Sequence, residues 1–181
     1  VPGGTIIADV KASQALFDKI EELGGVPLMW KTGHSLVKAK MKEVNSPIAG
    51  EMSGHIFFND RWFGFDDGMY SAARLLEIMS IRDQDLDGIF AAFPSCASTP
   101  EIRIPVDESK KFSIIKQLSE RGEWGNGKLV TIDGVRVDFA KGWGLVRASN
   151  TAAELTMRFE ADDGDSLATV QNVCKQQLQL V

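Results

Sequence analysis

The stretch "TIIADVKASQALFDKIEELGGVPLMW", residues 5 to 30, decides the architecture of the first half of the chain. "TIIADV" (5–10) is a short run rich in β-branched residues, as buried strands are. From Lys11 onward, Leu16, Ile20 and Leu23 recur at helical spacing, which predicts an apolar helix face, and Gly24 and Gly25 supply its stop. "VPLMW" (26–30) reads as a second buried strand. Strand, helix and strand in that order form a β-α-β unit with a parallel pair, which presents its ligand-facing edge at the carboxyl ends of the strands. The loop 11–13 lies on that edge.

Working outward, "HSLVKAKMKEV" (34–44) reads as a helix, and "GEMSGHIFF" (50–58) ends in a third strand from Ile56. "FDDGMYSAARLLEIMS" (65–80) predicts another helix, with Asp66 or Asp67 as its N-cap and Tyr70, Leu75, Leu76 and Met79 on or near its apolar face. "AFPSCASTP" (92–100) joins two prolines to small polar residues, the composition of a linker. Beyond it the rhythm changes. "EIRIPV" (101–106) alternates like a strand, "ESKKFSIIKQLSERG" (108–122) reads as a helix, and "KLVTIDGVRVDF" (128–139) is two strands around the hairpin signal Asp133-Gly134. "GWGLVRAS" (142–149) and "LTMRFEA" (155–161) are further strands, and a helix over 163–181 closes the chain. The expected fold is a mixed α/β domain over residues 1–96, followed by a smaller α+β domain with an antiparallel sheet over 97–181.

The bulk composition suits a globular protein of this kind: 181 residues, 44% hydrophobic and 25% charged. Twenty basic against twenty-five acidic side chains leave a net charge of −5. The balance is nine against thirteen over residues 1–96 and eleven against twelve beyond, so neither half is a basic module and nucleic acid is an unfavoured partner. No run approaches the roughly 20 apolar residues needed to span a bilayer, and the N-terminus lacks the pattern of a signal peptide. Cys96 and Cys174 stand alone, without Cys-x-x-Cys spacing or a histidine at ligand distance, which points to a reducing, cytoplasmic setting.

Three motifs imitate ligand sites. "DQDLDG" (83–88) matches the opening of a calcium loop, but the twelfth position is Pro94 where a bidentate Glu belongs, so a solvated loop after the helix is expected. "DDGDS" (162–166) resembles a magnesium loop, yet its place before an amphipathic segment makes Asp163 or Asp165 a helix cap. Gly24-Gly25 and "GEWGNG" (122–127) do not supply G-x-G-x-x-G between a strand and a helix.

Two stretches carry chemistry. In "GEMSGH" (50–55), an ionised Glu51 accepts two hydrogen bonds at once, as a pair of adjacent sugar hydroxyls requires, and Ser53 donates or accepts beside it. His55 is one of only two histidines, and imidazole is the side-chain type whose reference pKa lies near neutrality, which suits transfer of a proton to or from a hydroxyl. The same residues also suit a plain Gly-flanked turn. In "RASNT" (147–151), Arg147 presents a fork for two phosphate oxygens, and Ser149, Asn150, Thr151 and the loop N–H groups supply further donors. A polar turn closed by a Ser side chain is the competing interpretation.

"GEMSGH" followed by "WFGFDDGMYSAARLLEIMS" (62–80), and "RASNT" leading into "RFEA" (158–161), resemble the C-terminal half of the α-D-phosphohexomutase superfamily, in particular its bacterial phosphomannomutase/phosphoglucomutase branch. The resemblance runs over essentially the whole chain. It implies four domains around a cleft in the full-length enzyme, contributing in order a phosphoserine loop, a magnesium loop, a sugar-recognition loop and a phosphate-binding loop. This chain resembles only domains three and four, the last of a TATA-box-binding-protein-like fold. Neither of the first two loops occurs in its sequence.

By motif, the resemblance makes Glu51 and Ser53 recognise sugar hydroxyls and His55 a candidate general acid/base. Lys11 and His34 match substrate-reaching positions, and Arg147, Ser149, Asn150 and Thr151 hold the phosphate that is not transferred. The implied reaction interconverts glucose or mannose 1-phosphate and 6-phosphate through glucose 1,6-bisphosphate or its mannose counterpart. Magnesium and the phosphoserine come from the N-terminal domains, so this chain is expected to be inactive alone and to bind no metal itself. A cytoplasmic monomer is implied, and a stand-alone phosphosugar-binding module is the alternative. One departure from the pattern is Ala152-Ala153, where the family often has a proline, which predicts a less stiff loop.

Overall fold

The computed structural model describes residues 2–180 and divides into two compact units, Val1–Pro94 and Ser95–Val181. Val1, and Val181 at the end of the expected closing helix, lie outside the described residues.

In the first unit, β1 (Thr5–Asp9), β2 (Val26–Trp30), β3 (Ile48–Gly50) and β4 (Ile56–Phe58) form one sheet in the order β2-β1-β3-β4. β1 runs parallel to both β2 and β3, whereas β4 returns antiparallel to β3, so the sheet is mixed. The crossovers are α1 (Gln14–Glu22) and α2 (His34–Val44). Ser13 caps α1 by accepting the Ala15 N–H, which explains why the helix starts three residues later than the apolar spacing suggests. That spacing also misplaced its inner face. Phe17 and Ile20 are buried, while Leu16 and Leu23 are exposed. The main cluster of this unit joins Ile7, Val37, Met41, Ala49 and Phe57, with Ala8, Ala12 and Phe17 packed as a second group.

β3 was not expected, and Ile56 therefore begins the fourth strand. Three residues carry too little pattern to announce a strand, and β3 exists because β1 and β4 pair with it on either side. α3 (Gly68–Arg82) is capped by Asp67, which accepts the Tyr70 N–H. Of its predicted apolar face, Tyr70, Leu75 and Met79 are half-buried, whereas Leu76 is 64% exposed, and no residue of α3 is fully buried. The "DQDLDG" stretch is not simply a loop, because Asp85 caps the short helix α4 (Leu86–Phe90).

The second unit is a six-stranded antiparallel sheet. Its strands are β5 (Ala97–Ser98), β6 (Ile102–Pro105), β7 (Lys128–Val130), β8 (Val135–Phe139), β9 (Gly142–Ala148) and β10 (Glu154–Ala161). The path β5-β10-β9-β8-β7 is joined by β6, which shares the edge of β10 with β5. β5 lies in the stretch expected to be linker, and two pairs with Glu160 and Ala161 make it a strand. α5 (Lys111–Arg121) and α6 (Gly164–Leu178) cover a cluster built on Leu118, Val135, Val137, Val146 and Phe159. Asp163 caps α6 through the Ser166 N–H, and that bond holds its carboxyl below the usual range. Gly144 lets α6 approach β9, since a Cβ there would stand 2.7 Å from the Cys174 sulfur.

Candidate functional site

The parallel order of the first sheet gathers residues that are far apart in sequence. Lys11 follows β1, His34 opens α2 after β2, and Glu51, Ser53 and His55 lie in the hairpin between β3 and β4. All five stand at the carboxyl ends of parallel strands, where an α/β sheet places its ligands. Lys11 and Glu51 are buried, and His34, Ser53 and His55 are exposed. The two histidine rings lie 6.4 Å apart.

"GEMSGH" is a tight hydrogen-bonded turn: the Glu51 N–H donates to the His55 carbonyl (2.8 Å) and the Gly54 N–H to the Glu51 carbonyl (3.0 Å). Gly54 takes φ +92, a left-handed value that a side chain would strain. The turn holds its polar groups in fixed positions. Glu51 Oε1 accepts the Gly33 N–H (3.0 Å) and Oε2 accepts the Ser53 hydroxyl (3.3 Å), so each oxygen keeps a further lone pair. Asp66 Oδ2 lies 2.7 Å from His55 Nδ1. A carboxylate there requires Nδ1 to carry a proton, which leaves Nε2 for a hydroxyl.

Asp9, which sequence reasoning missed, organises this edge from within. It is wholly buried at the end of β1. One carboxylate oxygen accepts the Met52 N–H (3.1 Å) and the other the Thr32 hydroxyl (3.1 Å), which ties the loops after β2 and β3 to β1. Burial raises its pKa above the ordinary value, an effect only partly offset by the Met52 N–H, the Lys11 charge and the Thr32 hydroxyl. The native state therefore holds this proton more tightly than the unfolded chain, and the contribution of Asp9 to stability declines as pH rises from 3.8 through the raised pKa. Asp9→Asn should remove that decline in denaturation measured at a series of pH values. Asp9→Ala should cost about 1–3 kcal/mol, because the Met52 N–H and the Thr32 hydroxyl lose their acceptor; a cost near zero would show that the tie is not structural.

In the second unit, Arg147 lies on β9, and Ser149 to Thr151 follow in the turn to β10. Both interpretations of "RASNT" have a counterpart here. Ser149 Oγ accepts the N–H groups of Thr151 (3.3 Å) and Ala152 (3.1 Å), so this hydroxyl shapes the turn, while Asn150 and Thr151 are exposed. Arg147 is buried, and one of its terminal nitrogens pairs with Asp133 at 3.1 Å. Its Nε is buried without a hydrogen-bond partner.

The fit between the hairpin turn and Arg147 depends on Gly134. This residue has φ +89, and a Cβ on it would stand 2.5 Å from the Arg147 Cβ. Lys111, buried at the start of α5, donates to the Ala152 carbonyl (3.1 Å) and pairs with Glu108 (2.7 Å), bracing a loop that lacks the expected proline. Of these supports, Asp133 carried a sequence signal only as a turn residue, and Lys111 carried none. Among the described residues, no group of three or more His, Cys, Asp or Glu side chains comes together as a metal site. Nor is any helix among them long and apolar enough to cross a membrane.

A mixed α/β unit followed by an antiparallel α+β unit is the architecture that comparison with known proteins also finds. The family model for phosphoglucomutase/phosphomannomutase alpha/beta/alpha domain III matches residues 1–96, and that for the phosphoglucomutase/phosphomannomutase C-terminal domain matches residues 101–175. The chain belongs to the phosphoglucomutase/phosphomannomutase family.

It is 57% identical over 180 residues to a phosphomannomutase/phosphoglucomutase of Pseudomonas aeruginosa, a match covering 99% of this chain and 39% of that protein. It is 47% identical over 173 residues to a phosphoglucomutase of Neisseria gonorrhoeae, covering 94% and 37%. The crystal structure of a phosphoglucomutase/phosphomannomutase family protein from Burkholderia thailandensis superposes with a TM-score of 0.92 at 46% identity, covering 99% of this chain and 38% of that one. The chain thus spans about two fifths of the length of these relatives.

Proposed function

We propose that this chain is the sugar- and phosphate-binding part of a phosphohexomutase that interconverts the 1-phosphates and 6-phosphates of glucose and mannose. The observation that carries this reading is the gathering of Lys11, His34, Glu51, Ser53 and His55 at the strand ends of one sheet, held there by the buried Asp9. Residues 1–96 form the sugar-recognition domain in this scheme, and 97–181 the phosphate-binding domain.

Glu51 accepts from two ring hydroxyls with the lone pairs left free by Gly33 and Ser53. Because an adjacent hydroxyl pair can be met from either side, the same carboxylate serves a sugar bound in either orientation. Lys11 and His34 reach the substrate beside it. His55 Nε2 takes the proton of the hydroxyl that receives the phosphoryl group and returns it in the reverse direction, while Asp66 keeps the ring oriented. Arg147, with the donors of Ser149, Asn150 and Thr151, holds the phosphate that is not reacting.

The phosphoserine that exchanges phosphoryl with the sugar, through glucose 1,6-bisphosphate or its mannose counterpart, and the magnesium that accompanies it belong to the N-terminal domains of the longer enzyme. The enzyme works in the cytoplasm as a monomer, a setting that suits the two free thiols Cys96 and Cys174.

The chain should convert no glucose 1-phosphate to glucose 6-phosphate in the presence of magnesium, and enzyme-dependent conversion would refute its dependence on the absent domains. Titration of the chain with glucose 6-phosphate should shift the backbone NMR signals of Gly33, of residues 51–55 and of residues 147–151. No shift at either loop in the folded protein at millimolar ligand would sink the assignment.

A further inference from the structure

Folding brings the only two histidines of the chain side by side. His34 opens α2 and His55 ends the turn before β4, and their ring centroids stand 6.4 Å apart with 46° between the planes. Two imidazole nitrogens bound to one ion at about 2.0–2.1 Å place the ring centroids roughly 5–6.5 Å apart, depending on the angle at the ion. The observed separation lies at the wide end of that range, and both rings are exposed, so a small side-chain rotation brings them closer.

The remaining ring nitrogens suit this use. Nδ1 of His55 faces Asp66 Oδ2 at 2.7 Å, and Nδ1 of His34 lies 3.5 Å from the Ser35 hydroxyl. Nε2 of neither ring has a hydrogen-bond partner among the described residues. An imidazole that meets a carboxylate through one nitrogen and offers the other is the arrangement in which proteins hold a metal, because the carboxylate orients the ring and raises its basicity. Glu51 accepts the Gly33 N–H beside His34 (3.0 Å), so two carboxylates offset the positive end of α2 and the Lys11 ammonium at this edge.

We propose that His34 and His55 together bind one divalent transition-metal ion through their Nε2 atoms, and that the bound ion excludes the sugar from this edge. Imidazole takes zinc, copper or nickel, whereas magnesium and calcium take oxygen ligands. No third His, Cys, Asp or Glu side chain joins the pair among the described residues, so water fills the other positions and the ion is held reversibly. The metal acts as an inhibitor, since it occupies the Nε2 atom of His55 that would otherwise meet a hydroxyl. The exclusion of sugar rests on the reading of His34 and His55 as sugar-binding residues; the metal site rests on the geometry alone.

The test is a titration of this chain with zinc at neutral pH, carrying Cys96→Ser so that the exposed thiol takes no metal, and followed by nitrogen NMR of the histidine side chains. With only two histidines, every imidazole signal reports on the site. Both Nε2 signals should move together and saturate at one zinc per chain, whatever the protein concentration, while magnesium moves neither. Asp66→Asn keeps both ligands and should weaken zinc binding by about 10- to 100-fold, the usual effect of removing the carboxylate behind a metal-bound histidine. Circular dichroism checks that the variants are folded. Movement of one ring alone or of neither would overturn the proposal. Half a zinc per chain, with a midpoint that depends on protein concentration, would assign the metal to histidines of two copies and also overturn it. Glucose 6-phosphate, with inorganic phosphate as the control for metal taken up by phosphate, should raise the zinc needed for half-saturation. Zinc bound at both rings but indifferent to the sugar would support the metal site and overturn the exclusion, together with the placement of these histidines at the sugar.

Discussion

Arg147→Ala is expected to weaken binding of glucose 6-phosphate by roughly 10- to 150-fold, the equivalent of about 1.5–3 kcal/mol for hydrogen bonds to a charged group. The direction follows from the way the guanidinium is held. It is buried, one terminal nitrogen is fixed by Asp133 at 3.1 Å, and Nε has no partner. A group so constrained loses little freedom on meeting a phosphate, which distinguishes it from a surface arginine. Arg147→Lys should recover only part of the loss, because an ammonium keeps the charge but cannot reproduce the fork. Calorimetric titration of the three proteins checks both statements. An Arg147→Ala protein that is folded and binds with unchanged affinity would remove this residue from the phosphate site. The variant also leaves the Asp133 carboxylate without this cation, so the turn bearing Gly134 should loosen, with faster hydrogen exchange over residues 131–134.

Phe159→Ala is expected to destabilise the second unit by about 3–5 kcal/mol, the range for truncating a fully buried aromatic side chain. Phe159 has no exposed surface and lies in β10, the strand that pairs with β5, β6 and β9. Its ring fills the space left by Gly144, where a Cβ would stand 3.0 Å from the Phe159 Cδ1 and 2.7 Å from the sulfur of Cys174 in α6. Truncation therefore opens a cavity between sheet and helix beside Gly144, which has no side chain to fill it. Burial also pushes the Cys174 thiol up to about 12, so it behaves as an apolar group in this cluster rather than as a reactive one. Guanidinium unfolding followed by the amide signals of β8 to β10 measures the loss. A cost below about 1.5 kcal/mol would mean that the site collapses around the smaller residue, contrary to the packing described.

Several local features were legible in the sequence. β1 declares itself by a run rich in β-branched residues, β2 by an apolar run, and the β7–β8 hairpin by Asp133-Gly134. Asp67 and Asp163 act as the expected helix caps because an aspartate accepts the first free N–H groups of a helix, and Asp85 does the same in a stretch expected to be a loop. The residue types in "GEMSGH" and "RASNT" also named the two polar loops without any knowledge of contacts, and the family resemblance they carried is matched over residues 1–96 and 101–175.

Tertiary pairing decided the rest. β3 and β5 are strands only because β1, β4 and β10 lend them partners, and such pairing leaves no periodicity in two or three residues. Leu76 of α3 was misplaced because the helix contains enough apolar positions for two faces, and the ion pairs of Arg74 and Glu77 lie on the side that turns inward with Tyr70. In the site, the sequence determined which side chains can bind a sugar or a phosphate, since donor and acceptor capacity belongs to the residue. Only the fold decided which of them are held in place. Asp9 reaches Thr32 and Met52, Lys111 reaches Ala152, and Asp133 reaches Arg147, contacts between residues well separated along the chain that exist only once the sheets have formed.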